Sequence, residues 1–290
     1  MAARLERFEF SQIRMGVDTP IVVYAPSEAR AVEACRAAYT RISQLEQQMS
    51  DYRADSELNM LCKEAVGRWR RVSRELFYVL WRAHRLAQQT DGAFDPTVGV
   101  LVRLWREARR TGRLPDAQTL QAARARAGYP LMELCPRRRA VRLKAAGMQL
   151  DLGGIAKGYA CDNALRVLRR YGITRALIQM GGDIVAGEPP PDAPAWRIAL
   201  AEGGETTLAR GALSTSGSTE QFVEIDGIRY AHIVDPRTGL GLTKLVLARA
   251  RARDGITADS LATAAAVMGA AGIPRLQRLY KGVQIEVWEG

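Results

Sequence analysis

The chain has 290 residues, of which 47% are hydrophobic and 25% charged, enough apolar material for a core and a balance that excludes wholesale disorder. Its formal net charge of +11 favours anionic partners. The basic residues, however, fall in short clusters (Arg68-Trp69-Arg70-Arg71, Arg109-Arg110, Arg137-Arg138-Arg139, Arg251-Ala252-Arg253), and no nucleic-acid-binding module accompanies them, so no nucleic-acid partner is expected.

In chain order, Phe8 to Tyr24 reads as two short strands around Met15-Gly16. Pro26 and Ser27 then open a helix whose apolar positions Ala31, Ala34, Ala38, Ile42 and Leu45 recur at helical spacing. Further helices are predicted from Ser73 to Gln89 behind a Ser N-cap, from Val98 to Arg110 after Pro96, and from Asp116 to Ala127 after Pro115. Val141 to Leu143 and Met148 to Leu150 alternate around Ala145-Ala146-Gly147 as a hairpin would. Strand-like runs follow at Ala176 to Gln179, Ala195 to Leu200, Gln221 to Ile225, Tyr230 to Val234, Leu245 to Ala250 and Val283 to Val287, with a helix from Thr257 to Met268 behind Thr257 as N-cap. Helices come early and strands late, which favours an α+β fold over a regular βαβ sheet.

No stretch reaches the roughly 18 to 20 apolar residues that span a bilayer, so no transmembrane segment is expected. The first ten residues lack an apolar signal core, and the expected location is cytoplasmic. Cys35, Cys62, Cys135 and Cys161 show no CxxC spacing and read as free thiols, Cys161 as a small buried apolar residue.

Four segments carry candidate chemistry. In Leu150-Asp151-Leu152-Gly153-Gly154-Ile155-Ala156-Lys157-Gly158-Tyr159, an apolar run enters paired glycines and then a helix-compatible stretch. Glycines let backbone approach a ligand, a helix N-terminus favours anions, and Lys157 offsets phosphate charge. The GxxxxGK[ST] spacing of a phosphate-binding P-loop is absent, and taken alone the segment is equally a tight strand-to-helix turn. Gln179-Met180-Gly181-Gly182-Asp183-Ile184 repeats the glycine pair with a carboxylate, and is alone equally an Asp-capped turn. Ala212 to Gly217 precedes Tyr230-Ala231-His232-Ile233-Val234-Asp235-Pro236-Arg237-Thr238-Gly239. This run gathers an acid/base group, a carboxylate, a guanidinium and a hydroxyl in one strand-to-turn unit, although Asp-Pro-Arg-Thr-Gly alone is also a plain turn. A Ser–His–Asp hydrolase using Ser214 or Ser216 lacks its G-x-S-x-G elbow. Asp259 and Thr263, four positions apart in Thr257 to Thr263, share a helix face and offer hard oxygen ligands for Mg²⁺, although an Asp near a helix start is also an ordinary dipole partner.

Together and in this order the segments resemble the FAD:protein FMN transferases, the ApbE family. Met15-Gly16, Met49-Ser50-Asp51-Tyr52-Arg53-Ala54-Asp55-Ser56-Glu57-Leu58, and Gly92-Ala93-Phe94-Asp95-Pro96-Thr97-Val98-Gly99 with Leu104-Trp105 add to the resemblance, which runs from about Phe10 to Gly269. It implies one flavin transferase domain over residues 8–288, with a two-lobed α+β, T-fold-like architecture of mixed and antiparallel sheets, flanking helices and FAD between the lobes. It implies Mg²⁺ held by Asp259, Thr263 and the carbonyl of Ala156. The flavin nucleotide would be lined by Met15, Tyr52, Asp95, Lys157 and Gly181-Gly182-Asp183. Ser216, Gly217, Arg237 and Thr238 would lie on the phosphate side, with His232 and Asp235 as catalytic residues. The implied reaction splits FAD, leaves FMN as a phosphoester on a Thr or Ser of an acceptor protein, and releases AMP. Hydrolysis of FAD to FMN and AMP, and non-catalytic FAD binding, are the alternatives. Ser218-Thr219 stand where family members often carry an acidic residue and a tyrosine.

Overall fold

A computed structural model describes residues 4–218 and 222–290. The chain forms two compact units, one of Met1–Glu46, Ala156–Thr215 and Ala250–Asp259, the other of Gln47–Ile155, Ser216–Arg249 and Ser260–Gly290. The sheet of the first unit runs in the order Glu6–Arg14, Val17–Ala25, Ala176–Met180, Asp183–Ala186, Gly211–Gly217. Neighbours among these pair antiparallel. The α+β expectation holds, and among the described residues no helix is long and apolar enough to cross a membrane.

In the first unit the chain opens as a hairpin that turns at Met15-Gly16, both with positive φ (49° and 78°). The helix Glu28–Met49 follows, and its five sequence-predicted inward residues, Ala31, Ala34, Ala38, Ile42 and Leu45, are all fully buried. The helix Ala156–Arg170 packs against the strands Ala176–Met180 and Asp183–Ala186. Val22, Ile184, Trp196, Ile198, Leu208 and Leu213 close a core on the sheet, with Trp196–Ala199 and Glu205–Leu208 paired as a hairpin. Cys161 is completely buried, and all four cysteines are free thiols.

The second unit contributes the helices Glu57–Glu64, Arg74–Gln89, Gly99–Thr111 and Ala117–Arg124. Ser73 caps its helix as expected, accepting from Leu76 N at 3.2 Å, while Asp116, expected as a first helical residue, is instead the cap of Ala117–Arg124 and accepts from Thr119 N at 2.8 Å. The hairpin expected between residues 141 and 150 is not formed. Ala140–Leu143 pairs instead with Met132–Cys135 and with the short strand Arg70–Arg71, through the turn Pro136 to Arg139. Met148 to Leu150 contributes only an isolated parallel bridge from Gln149 to Val98. The alternation around Gly147 misled because the turn-forming Pro136 stood beside an arginine run read only as charge.

The strand expected at Tyr230 to Val234 splits into Ile228–Ala231 and Val234–Asp235. Leu242 makes the switch, donating to Ile233 O and accepting from Ala231 N. The expected strand start Gln221 lies outside the described residues, as does Thr219; Phe222–Ile225 pairs with Ile228–Ala231.

Trp105 organises the core of this unit, packed with Leu101, Ala123 and Val234, stacked on Tyr230 at 5.1 Å between centroids, and donating its indole N–H to Gly239 O at 2.8 Å. That bond pins the turn that ends the His232–Gly239 segment. Replacing Trp105 by Ala empties this volume and orphans the Gly239 carbonyl, so urea denaturation is expected to show a loss of about 3 to 5 kcal/mol.

Candidate active site

The first unit brings residues of all four candidate segments together. The strand Ala176–Met180 turns at Gly181-Gly182 into Asp183–Ala186. Gly181 takes a positive φ of 58°, and a Cβ on Gly182 would lie 2.4 Å from Thr215 O, so this turn requires its glycines. The turn delivers Asp183, which is buried, accepts from Ser214 Oγ at 2.5 Å and pairs with Lys157 Nζ at 3.1 Å. Lys157, in the first turn of the helix Ala156–Arg170, also has Asp259 Oδ1 at 3.9 Å. Burial works against its charge, but Asp183 and Asp259 outweigh that and hold the ammonium protonated.

Asp259 is buried and accepts from Gly158 N at 2.9 Å. Burial, then the Asp183 charge, push its carboxyl up to about 7, against the pull of Lys157. This bond needs two backbones in close contact. A Cβ on Gly158 would lie 2.1 Å from Gly255 O, and one on Gly255 would lie 2.4 Å from Gly158 O. Gly158→Ala therefore forces the two helices apart. It is expected to cost about 3 kcal/mol or more in thermal or urea unfolding and to lower activity with it.

The helix Gly255–Met268 starts two residues before the expected Thr257 cap. Its cap is Asp254, whose Oδ1 accepts from Thr257 N at 3.0 Å, while Asp162 accepts from Gly255 N at 2.7 Å and Ile256 N at 3.1 Å. Asp162 was not singled out in the sequence, although a carboxylate inside a helix is an unfavourable choice that calls for a reason. Burial raises its carboxyl from 3.8 to about 6, against the two N–H donors. Between those values the native state holds more protons than the unfolded chain, so stability falls as pH rises. The stability advantage of the wild-type chain over Asp162→Asn is accordingly expected to shrink by about 3 kcal/mol from pH 4 to pH 7, read by urea denaturation at both.

In the second unit, Asp151 accepts from Gly153 N at 2.7 Å, folding the segment into a turn ahead of Gly154. A Cβ on Gly154 would meet Thr263 Oγ1 at 2.8 Å, so the glycine admits the threonine hydroxyl against its backbone. Ser216 Oγ lies 3.1 Å from the same Thr263 Oγ1. The first, third and fourth candidate segments thus converge on Thr263. Gly217 is partly buried against Val246 and Leu247, and the adjacent Ser218 is buried, its Oγ accepting from Val246 N at 2.8 Å.

Asp235 binds Arg237 with both oxygens, Oδ1 to Nε at 2.9 Å and Oδ2 to a terminal guanidinium nitrogen at 2.8 Å. Arg237 also reaches Val267 O at 3.4 Å, which sets the turn on the helix that carries Thr263. Thr238 donates to Asp235 O and accepts from Leu240 N within the turn. His232 is exposed between buried Ala231 and Ile233.

Asp95 is buried and spends its carboxylate on Thr97 N at 2.8 Å, Thr97 Oγ1 at 2.7 Å and Tyr129 N at 2.7 Å, shaping its loop. Tyr52 is 77% exposed, with the Arg106 guanidinium 4.0 Å from its ring centroid. Arg106 is itself held by Asp51 at 2.6 Å and Asp151 at 3.5 Å. Sequence reading quoted Asp51 and Trp105 without noticing that Arg106, next to Trp105, ties those two carboxylates together.

The donor set suits a hard divalent cation. Among the described residues no three of His, Cys, Asp and Glu are grouped to hold a metal. The helix Gly255–Met268 carries one carboxylate, Asp259, and one hydroxyl, Thr263, four positions apart. That is the chemistry of Mg²⁺, which takes few protein oxygens and keeps room for water and substrate phosphate.

Glycine turns, a protonated lysine and hard oxygen donors of this kind suit phosphate chemistry, here on a largely antiparallel α+β frame. The ApbE family pattern matches residues 15–286, and the chain belongs to the ApbE family. It is 31% identical over 309 residues to an FAD:protein FMN transferase of Treponema pallidum, covering 97% of this chain and 84% of that relative. A Vibrio cholerae relative of the same name is 33% identical, over 79% of this chain and 71% of its own length. Among solved structures, the ApbE protein of Thermotoga maritima superposes with a TM-score of 0.88 at 28% identity, covering 98% of this chain and 94% of the other. The flavin transferase ApbE of Vibrio cholerae gives 0.84 at 27% identity, covering 99% and 97%.

Proposed function

We propose that this chain is a Mg²⁺-dependent FAD:protein FMN transferase, with residues 8–288 acting as one transferase domain. It splits FAD, attaches FMN through a phosphoester to a Thr or Ser of a target protein, and releases AMP. Membership of the family supports the activity. The observation that carries the chemical reading is Asp259 and Thr263 one turn apart on a helix, with the Lys157 ammonium beside the carboxylate.

Asp259, Thr263 and the Ala156 carbonyl would hold Mg²⁺, which supplies charge neutralisation at the pyrophosphate oxygens. Lys157, kept charged by Asp183, adds a fixed positive charge for the phosphates. Ser216 and Gly217 offer a hydroxyl and backbone beside Thr263, and Arg237 and Thr238 serve the same phosphate side. Met15 at its hairpin tip, the Gly181-Gly182-Asp183 turn, Tyr52 and the loop shaped by Asp95 contact the flavin nucleotide.

The acceptor hydroxyl oxygen attacks the phosphorus on the FMN side. The bond from that phosphorus to the bridging oxygen breaks, AMP leaves with the bridging oxygen, and the hydroxyl proton passes to a general base. His232 is the better base of the two candidates, because both oxygens of Asp235 are engaged by Arg237. Asp235 acts by holding the turn.

The test is incubation with FAD, Mg²⁺ and a candidate acceptor. Covalent flavin on the acceptor with matching AMP supports transfer. Free FMN alone means hydrolysis, and bound, unchanged FAD means a non-catalytic flavoprotein.

A further inference from the structure

We propose that the arginine-rich hairpin of the second unit is a docking site for an acidic segment of the acceptor protein, an inference that rests on the transferase reading for the identity of the partner. The turn Pro136 to Arg139 joins the strands Met132–Cys135 and Ala140–Leu143, held by Arg138 N to Cys135 O and Arg139 N to Pro136 O, each at 3.2 Å. The register places Arg71 opposite Ala140, and Val72 N donates to Arg139 O at 2.9 Å, so Arg71 stands beside the turn. The result is a recess of about 440 Å³ lined by Trp69, Arg71, Arg137, Arg138, Arg139 and Ala140.

Charge pairing singles this recess out. Other cations of the same small sheet have carboxylates: Arg142 and Lys144 share Glu133, and Arg70 takes Glu64 at 2.7 Å. Arg71, Arg137, Arg138 and Arg139 have no carboxylate within ion-pair distance among the described residues, and none lines the recess. Like charges gathered without counterions raise the local potential and draw in an anion. Guanidinium groups match carboxylates as two-pronged donors.

Shape selects among anions. The site is a local recess on one turn, where a bilayer needs a broad face and a nucleic-acid strand needs phosphate contacts repeated along a track. Its one aromatic, Trp69, 40% exposed, already carries the Arg142 guanidinium 4.9 Å from its ring centroid, which leaves little stacking surface for bases. Two or three acidic side chains of an extended peptide fit both the volume and the charge. The acceptor is a protein that this enzyme must hold while its hydroxyl reacts, so it is the partner with reason to carry such a segment.

The probe is a fluorescein-labelled hexaglutamate peptide titrated with the full chain and read by anisotropy. Saturable binding that weakens as salt is raised is expected. R137E/R138E is expected to weaken it at least about tenfold and Arg137→Gln with Arg138→Gln to a smaller extent, with FAD turnover unchanged. No saturable binding, or equal binding by the charge-reversed variant, overturns the proposal. So does a result in which hexaglutamate is unaffected while binding of oligo-dT or of phosphatidylglycerol vesicles is the property lost. FAD turnover by the wild-type chain is measured separately: its absence strikes the transferase reading, whereas the docking site stands or falls on the peptide.

Discussion

Asp259→Asn is expected to lower FMN transfer by about three orders of magnitude, the loss of roughly 4 kcal/mol of transition-state stabilisation that a charged metal-holding oxygen supplies. The variant keeps the shape of the side chain, and an amide oxygen still accepts from Gly158 N. Lys157 keeps Asp183 as its partner at 3.1 Å. Stability does not fall in parallel. The Asp259 carboxyl is raised to about 7 by burial and by Asp183, so above that pH the wild-type fold carries a buried charge that the unfolded chain solvates. Its contribution is favourable at low pH and is lost as pH rises toward 7. At pH 8 without Mg²⁺ the variant should unfold at the same temperature as the wild type or higher. Dead activity on an intact or stabilised fold separates a chemical role from a structural one, and a variant that is merely unstable contradicts this account.

The second large effect belongs to His232. Its side chain is exposed between two buried neighbours, so its removal empties no core volume. His232→Ala should leave stability within about 0.5 kcal/mol. General-base catalysis contributes about a hundredfold to ten-thousandfold, so kcat for FMN transfer should drop by that factor with KM for FAD little changed. Asp235→Asn should behave differently. It frees Arg237, which otherwise reaches Val267 O, and loosens the turn between Val234–Asp235 and Leu240–Gly241. Its signature is a loss in both stability and KM. Steady-state kinetics beside thermal unfolding distinguish the two variants, and full transfer by His232→Ala would remove the histidine from the chemistry.

Much of this was legible in the residues. The helix Glu28–Met49 announces its buried face through Ala31, Ala34, Ala38, Ile42 and Leu45, because apolar spacing reports burial directly. Gly182 and Gly154 were visible as glycines with something to admit, but not what they admit: Thr215 O in the first case and the Thr263 hydroxyl in the second. Such contacts join residues distant in sequence and leave no local periodicity. For the same reason the ties of Asp162 to Gly255 and of Arg106 to Asp51 and Asp151 went unread. The hairpin Met132–Cys135 to Ala140–Leu143 was missed for a local reason. Its turn opens on Pro136, but the three arginines that complete it were read as charge, and Arg139 takes a φ of 49° that arginine does not announce. The short helix Glu57–Glu64 was not assigned from the sequence, although Ser56 caps it by accepting from Asn59 N.

The central claim is that FAD chemistry at Asp259 ends with FMN on a protein hydroxyl. Mass spectrometry of the flavinylated proteins of the host, with the gene for this chain present, deleted, or restored as wild type or Asp259→Asn, tests it most directly. The account predicts FMN phosphoesters on Thr or Ser that vanish on deletion, return with the wild-type chain and stay absent with Asp259→Asn. Flavinylation that persists unchanged after deletion, or that Asp259→Asn restores in full, would contradict it.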